Sequence, residues 1–87
     1  MIYINQSYSG SDAVVLSVEG DLDYDSLPIL IDTYRKNLAT SKVITINLEK
    51  VSAVDRSGRA FLKEIQHNVT FLGMPASIQM EIGSEGV

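Results

Sequence analysis

The sequence predicts an α/β fold: a small mixed β-sheet of about four strands, covered mainly on one face by two or three helices, in a single domain over residues 1–87. Three observations carry this reading. Two runs, Ala13 to Glu19 and Val43 to Leu48, are rich in β-branched residues and too short for a buried helix. Two further stretches repeat apolar residues at steps of three and four. These strand and helix signals alternate along the chain, and strands joined through helices pair in parallel with right-handed crossovers. Successive crossovers of that hand place both helices on the same face of the sheet.

Taken in order, Ile2 to Tyr8 reads as a first strand at an edge, with Ile2 and Ile4 on one face. The turn cluster Ser9-Gly10-Ser11-Asp12 joins it to Ala13 to Glu19, predicting an antiparallel hairpin. Gly20-Asp21-Leu22-Asp23 is expected to break this second strand. Asp25 or Ser26 then caps a helix, and Pro28 suits its first turn, where a missing N–H costs nothing. Leu27, Leu30, Ile31, Tyr34 and Leu38 form its apolar face. Asp32 and Lys36 are spaced to pair on the solvent side, Arg35 and Lys36 suit the negative pole of the helix, and Thr40 and Ser41 close it.

Val43 to Leu48 is the strongest strand signal and is placed centrally. After the polar turn Asp55-Arg56-Ser57-Gly58 a second helix opens, with Phe61, Leu62 and Ile65 buried and Lys63, Glu64 and Gln66 outside. His67 and Asn68 suit its end. Val69 to Leu72 reads as a fourth strand. Pro75 starts a short third helix carrying Ile78 and Ile82 and ended by Gly83, before a frayed tail. The expected order is β-β-α-β-α-β-α.

Composition excludes several classes of function. Seven Lys and Arg against eleven Asp and Glu leave a net charge of −4, so the chain lacks the basic face that nucleic acid or an anionic membrane requires. No cysteine is present, which removes disulfides and thiolate metal sites and points to a reducing compartment. No apolar run reaches the roughly 18 residues of a membrane-spanning helix, and the N-terminus lacks the features of a secretory signal. The expected location is cytoplasmic, with no direct membrane insertion.

Chemistry-bearing residues converge on the start of the second helix, where unpaired N–H groups and the helix dipole make the site mildly positive. Asp55 reads as a cap for that helix, a role compatible with shaping a contact loop. Ser57 reads as a cap or surface serine, or as a phosphoacceptor stabilised by Arg56 and Arg59 and opposed by Asp55. Arg56 reads either as a solvated side chain or as a contact for an acidic partner. Asp21, Asp23 and Asp25 read as solvated acids before a helix, since the glycine and distal glutamate of a calcium loop are missing. His67, the only histidine, lies ten residues after Ser57. Along one helix that is about 15 Å, far beyond the roughly 3 Å that general-base catalysis needs. Gly58 and Gly73 do not belong to a phosphate-binding loop. No catalytic residues, metal ligands or cofactors are expected.

Two segments carry a resemblance to a known family. Val18-Glu19-Gly20-Asp21-Leu22-Asp23 is similar to the Gly-acidic-Leu-Asp signature of STAS domains, the sulfate-transporter and anti-sigma-factor-antagonist family. Ile46-Asn47-Leu48-Glu49-Lys50-Val51-Ser52-Ala53-Val54-Asp55-Arg56-Ser57-Gly58 resembles that family's segment ending in Asp-Ser-Ser-Gly. The resemblance spans nearly the whole chain and implies a SpoIIAA-like fold in a short variant. It also implies a non-enzymatic, commonly bacterial switch in transcription regulation that docks on an anti-sigma factor of the GHKL kinase type. In that family the acceptor hydroxyl directly follows the Asp. Here Arg56 occupies that position, and Ser57 matches the next one. The expected contact surface is Asp23 with Asp55, Arg56, Ser57, Gly58 and Arg59. The competing reading is a constitutive STAS accessory subunit of a membrane transport ATPase. An exposed first strand also leaves a homodimer open.

Overall fold

The computed structural model describes residues 1–40, 43–76 and 78. The elements are β1 (Ile2–Ser9), β2 (Ala13–Leu22), α1 (Leu27–Thr40), β3 (Val43–Val54), α2 (Arg56–Ile65) and β4 (Thr70–Leu72). The sheet order is β1-β2-β3-β4. β1 and β2 form the antiparallel hairpin, and β2–β3 and β3–β4 are parallel. The expected α/β class, the edge position of β1 and the central position of β3 all stand.

Alternation along the strands selects the core face. Val14, Leu16 and Val18 of β2 and Ile44, Ile46 and Leu48 of β3 are buried, while the residues between them are only partly covered or exposed. Leu30 and Tyr34 of α1 and Leu62 and Ile65 of α2 join the same cluster, so both helices cover one face. The rings of Tyr34 and Phe61 meet edge to face at 5.8 Å and tie α1 to α2. Asp32 and Lys36 form the surface ion pair at 3.1 Å.

Several element limits differ from the sequence reading. β2 does not break at Gly20 but continues to Leu22, which is fully buried. Its backbone is held by Ile2 on one side and by Val51 and Val54 on the other, and register shifts absorb the irregularity. Gly20 has φ +102°, and a Cβ there would lie 2.5 Å from the Met1 carbonyl oxygen, so the bend uses a residue without one. β3 likewise runs past Leu48 to Val54. The helix α2 starts at Arg56, so three of the four residues expected in a turn form its first turn. β4 starts at Thr70 rather than Val69.

In α1 the buried position near the C-terminal end is Asn37, not Leu38, which is about half exposed. The helix meets the polar end of β1 there. Asn37 Nδ2 donates to Gln6 Oε1 and to the Thr33 carbonyl, both at 2.9 Å. An amide satisfied in this way is stable at a buried site. Arg35 and Lys36 precede the last turn because the helix extends to Thr40. In α2, Lys63 is half-buried rather than outward, and Gln66 is a half-buried C-cap. Ala76 and Ile78 are helical and Ile78 is buried, at the expected third helix. The expectations for Ser41, Ile82, Gly83 and the tail fall outside the described residues.

Candidate functional site

The parallel pair β2–β3 delivers both chain segments of the site to one end of the sheet. Leu22 and Val54 are register partners there. Beyond Leu22 the chain turns into the loop that enters α1, and beyond Val54 it turns at Asp55 into α2. Asp55 N–H donates to the Leu22 carbonyl at 3.1 Å, closing the two ends together.

Asp55 has extended backbone angles and is the N-cap of α2. Its Oδ1 accepts the Gly58 N–H at 2.9 Å. Its Oδ2 accepts the Tyr24 N–H, also at 2.9 Å, from the loop before α1. One carboxylate therefore caps one helix and anchors the entrance of the other. The cap was legible in the sequence, but the bond to Tyr24 joins residues 31 apart and had no local signal.

Gly58 is buried and passes directly over the end of β2. A Cβ there would lie 2.7 Å from the Leu22 carbonyl oxygen and 2.8 Å from Val54 Cγ1. Arg59 is half-buried, and its Nη1 donates to the Val54 carbonyl at 3.0 Å. Arg59 thus braces the strand end. Arg56 is exposed, and Ser57 is half-buried. No acidic residue occupies the first turn of α2, which carries Arg56 and Arg59 at its positive pole.

Asp23, rather than Asp25 or Ser26, organises the start of α1. Its Oδ1 accepts the Ser26 N–H at 2.9 Å, and its carbonyl accepts the Leu27 N–H at 2.8 Å. Ser26 is buried beneath this turn, while Asp21 and Asp25 are exposed. The structure therefore brings Asp23, Asp55, Arg56, Ser57, Gly58 and Arg59 to the same end of the sheet, with Gly58 and Arg59 serving packing and bracing there.

The backbone N–H and then the side chain of Ser26 hold the Asp23 carboxyl below its ordinary value of 3.8. A carboxyl depressed by folding contributes stability above its unfolded pKa, and that contribution is lost as pH falls through the lower folded value. Thermal melts of the protein are thus expected to fall as pH drops below about 4, and Asp23→Asn is expected to flatten part of that fall. Equal acid slopes for the two proteins would contradict this assignment.

Two hollows were not foreseen from sequence. Tyr24, Asp25, Leu27, Pro28 and Ile31 line an apolar hollow of about 290 Å³ at the α1 entrance, next to the bond to Asp55. On the sheet face opposite the core, Asn5, Ser17, Glu19, Asn47, Glu49 and Lys50 line a depression of about 220 Å³. Its lining comes from three strands, a juxtaposition that only strand pairing creates. Among the described residues no group of three or more His, Cys, Asp and Glu is placed to hold a metal ion, and no helix is long and apolar enough to cross a membrane. His67 lies beyond the far end of α2 and is exposed.

No family model matches the sequence, and no curated protein matches it. Solved structures do match. The anti-sigma factor antagonist SpoIIAA in its unphosphorylated form is similar with a TM-score of 0.67 and 14% identity, over 91% of this chain and 80% of that one. An antisigma-factor antagonist STAS domain from Rhodobacter sphaeroides gives 0.66 at 18% identity, over 97% and 92%. A Shewanella loihica protein described as having a SpoIIAA-like fold gives 0.60 at 16% identity, over 92% and 72%. The chain thus has the STAS-type, SpoIIAA-like fold implied by its two motifs.

Proposed function

We propose that this chain is a non-enzymatic, cytoplasmic regulatory module that binds another protein through the lip formed by Asp23, Tyr24, Asp55, Arg56 and Ser57. The single observation that carries this reading is the Asp55 carboxylate, which uses both oxygens to fix two loops side by side. A carboxylate engaged in this way is a brace, and it ties the loop that carries the exposed Arg56 to Tyr24, which lines an apolar hollow. An arginine next to an apolar anchor is a composition that carries binding energy at interfaces. Two fold neighbours are described as anti-sigma factor antagonists, which favours an anti-sigma factor of the GHKL kinase type as the partner class.

Arg56 favours a second reading. The position directly after the Asp holds a guanidinium instead of a hydroxyl, so a serine- or threonine-type phosphorylation has no acceptor there. A lip without that switch suits constitutive binding, as in an accessory subunit of a membrane transport ATPase. Ser57 is the remaining acceptor candidate. Incubation with the partner kinase and ATP, followed by mass spectrometry, distinguishes a switch at Ser57 from a constitutive contact.

The test of the lip itself is Arg56→Glu. Removing a cation from the positive end of α2 and placing an anion there is expected to raise stability by about 0.5–1 kcal/mol. The same change is expected to weaken partner binding about tenfold or more, equivalent to roughly 1.4 kcal/mol. Affinity capture from native cells, followed by titration of the captured partner, reads the second effect, and denaturant melts read the first. A partner bound equally well by wild type and Arg56→Glu overturns the assignment, as does turnover of a substrate by the purified protein alone.

A further inference from the structure

We infer that β1 is a homodimerisation edge, pairing antiparallel with β1 of a second copy to continue the sheet across a twofold axis. This inference stands apart from the lip. β1 is the first strand in the sheet order, so among the described residues no strand lies beside the other side of its backbone ladder. Its eight residues pair with β2 in unbroken register from Ile2 to Ser9, whereas the register shifts of the sheet lie between β2 and β3. The edge is long and regular. The opposite edge strand, β4, has only three residues.

Edge strands normally carry charges, prolines or bulges that prevent pairing with another chain. β1 has none of these: it reads Ile-Tyr-Ile-Asn-Gln-Ser-Tyr-Ser. All seven basic and all eleven acidic side chains of the protein lie after residue 11. A protein of net charge −4 has thus kept this eight-residue edge without charged side chains. Tyr3 and Tyr8 stand exposed on it, at 72% and 65%.

The absence of charge is what selects a second copy. Self-pairing about a twofold axis sets each residue opposite its own mirror position, so any charge near the centre would face its like. A partner of opposite charge has nothing on this strand to recognise. With the axis perpendicular to the sheet, both helical layers fall on the same face. The central pair is then Asn5 with Asn5 or, one register over, Gln6 with Gln6. In the first case Ile2 meets Tyr8 and Tyr3 meets Ser7. Because the two copies run antiparallel, their lips lie at opposite ends of the continuous sheet, and both stay open.

Sedimentation equilibrium of the full chain at micromolar concentrations tests the inference. The expected result is a particle of twice the chain mass, with dimerisation weakened about tenfold or more by Asn5→Lys and unaffected by Thr70→Lys on the other edge. Ser7→Lys is a second exposed position on β1 and decides the matter if Asn5→Lys loses its circular-dichroism signature. The chain has no cysteine, so a single engineered one reports geometry cleanly. Directly opposed antiparallel residues lie about 4.5–5.5 Å apart at Cα, within the range that a disulfide spans. Asn5→Cys or Gln6→Cys is expected to cross-link the dimer under mild oxidation, and Thr70→Cys is not. A monomer at every concentration, a dimer indifferent to lysine on β1, or failure of both β1 cysteines to cross-link overturns the inference.

Discussion

Asp55→Ala is expected to cost about 1–3 kcal/mol of stability, the sum of a lost helix cap and a second charge-assisted hydrogen bond. The two bonds, to the Gly58 N–H and the Tyr24 N–H, come from the same carboxylate but serve different helices. Their loss frays the first turn of α2 and detaches the loop that enters α1. Asn in this position keeps a carbonyl oxygen that accepts one N–H, so Asp55→Asn is expected to fall between Ala and wild type. Denaturant unfolding measures the ranking. Amide exchange at Tyr24 and Gly58 locates it, because both amides lose protection in Asp55→Ala while those of the central β3 hold theirs. Unchanged protection at Tyr24 would mean that the carboxylate does not couple the two segments. The proposed lip depends on that coupling, since Arg56 and Tyr24 meet a partner together only when their backbones are fixed to one another.

Gly58→Ala is expected to destabilise the protein by about 1–3 kcal/mol, the usual cost of forcing an extra methyl into a packed site. The sign is informative because local reasoning gives the opposite answer. Gly58 lies in α2, and Ala is favoured over Gly in a helix by about 1 kcal/mol. The new Cβ, however, would sit 2.7 Å from the Leu22 carbonyl oxygen, a backbone atom that already accepts the Asp55 N–H. Relief requires α2 to lift from the ends of β2 and β3. Gly58→Ala is therefore expected to lower the melting temperature and to loosen the lip together. A more stable Gly58→Ala protein would show that α2 sits farther from β2 than the structure places it.

Both predictions turn on contacts between residues far apart in sequence, and the same division runs through the whole protein. The amino-acid sequence by itself determined what alternation and helical spacing encode. Val14, Leu16 and Val18, like Ile44, Ile46 and Leu48, announce strands with one buried face. Leu30, Tyr34, Leu62 and Ile65 announce helices that cover it. Asp55 before a helix announces a cap, because that bond is made three residues away. These signals are local, and local geometry suffices to read them.

Tertiary structure decided the rest, because the deciding partners are distant. Gly20-Asp21-Leu22 looks like a break in isolation, yet it is strand, since β3 pairs along all three residues and β1 pairs at Gly20. Leu38 continues the apolar spacing of α1, yet Asn37 is the buried residue, its amide satisfied by Gln6 of β1 and the Thr33 carbonyl. Asp23 displaces Asp25 and Ser26 as the organiser of the α1 entrance because the chain arrives from the end of β2, with Tyr24 fastened to Asp55. Residue types fixed which segments become strands and helices. The pairing of those segments fixed where each one ends, and so shaped the lip.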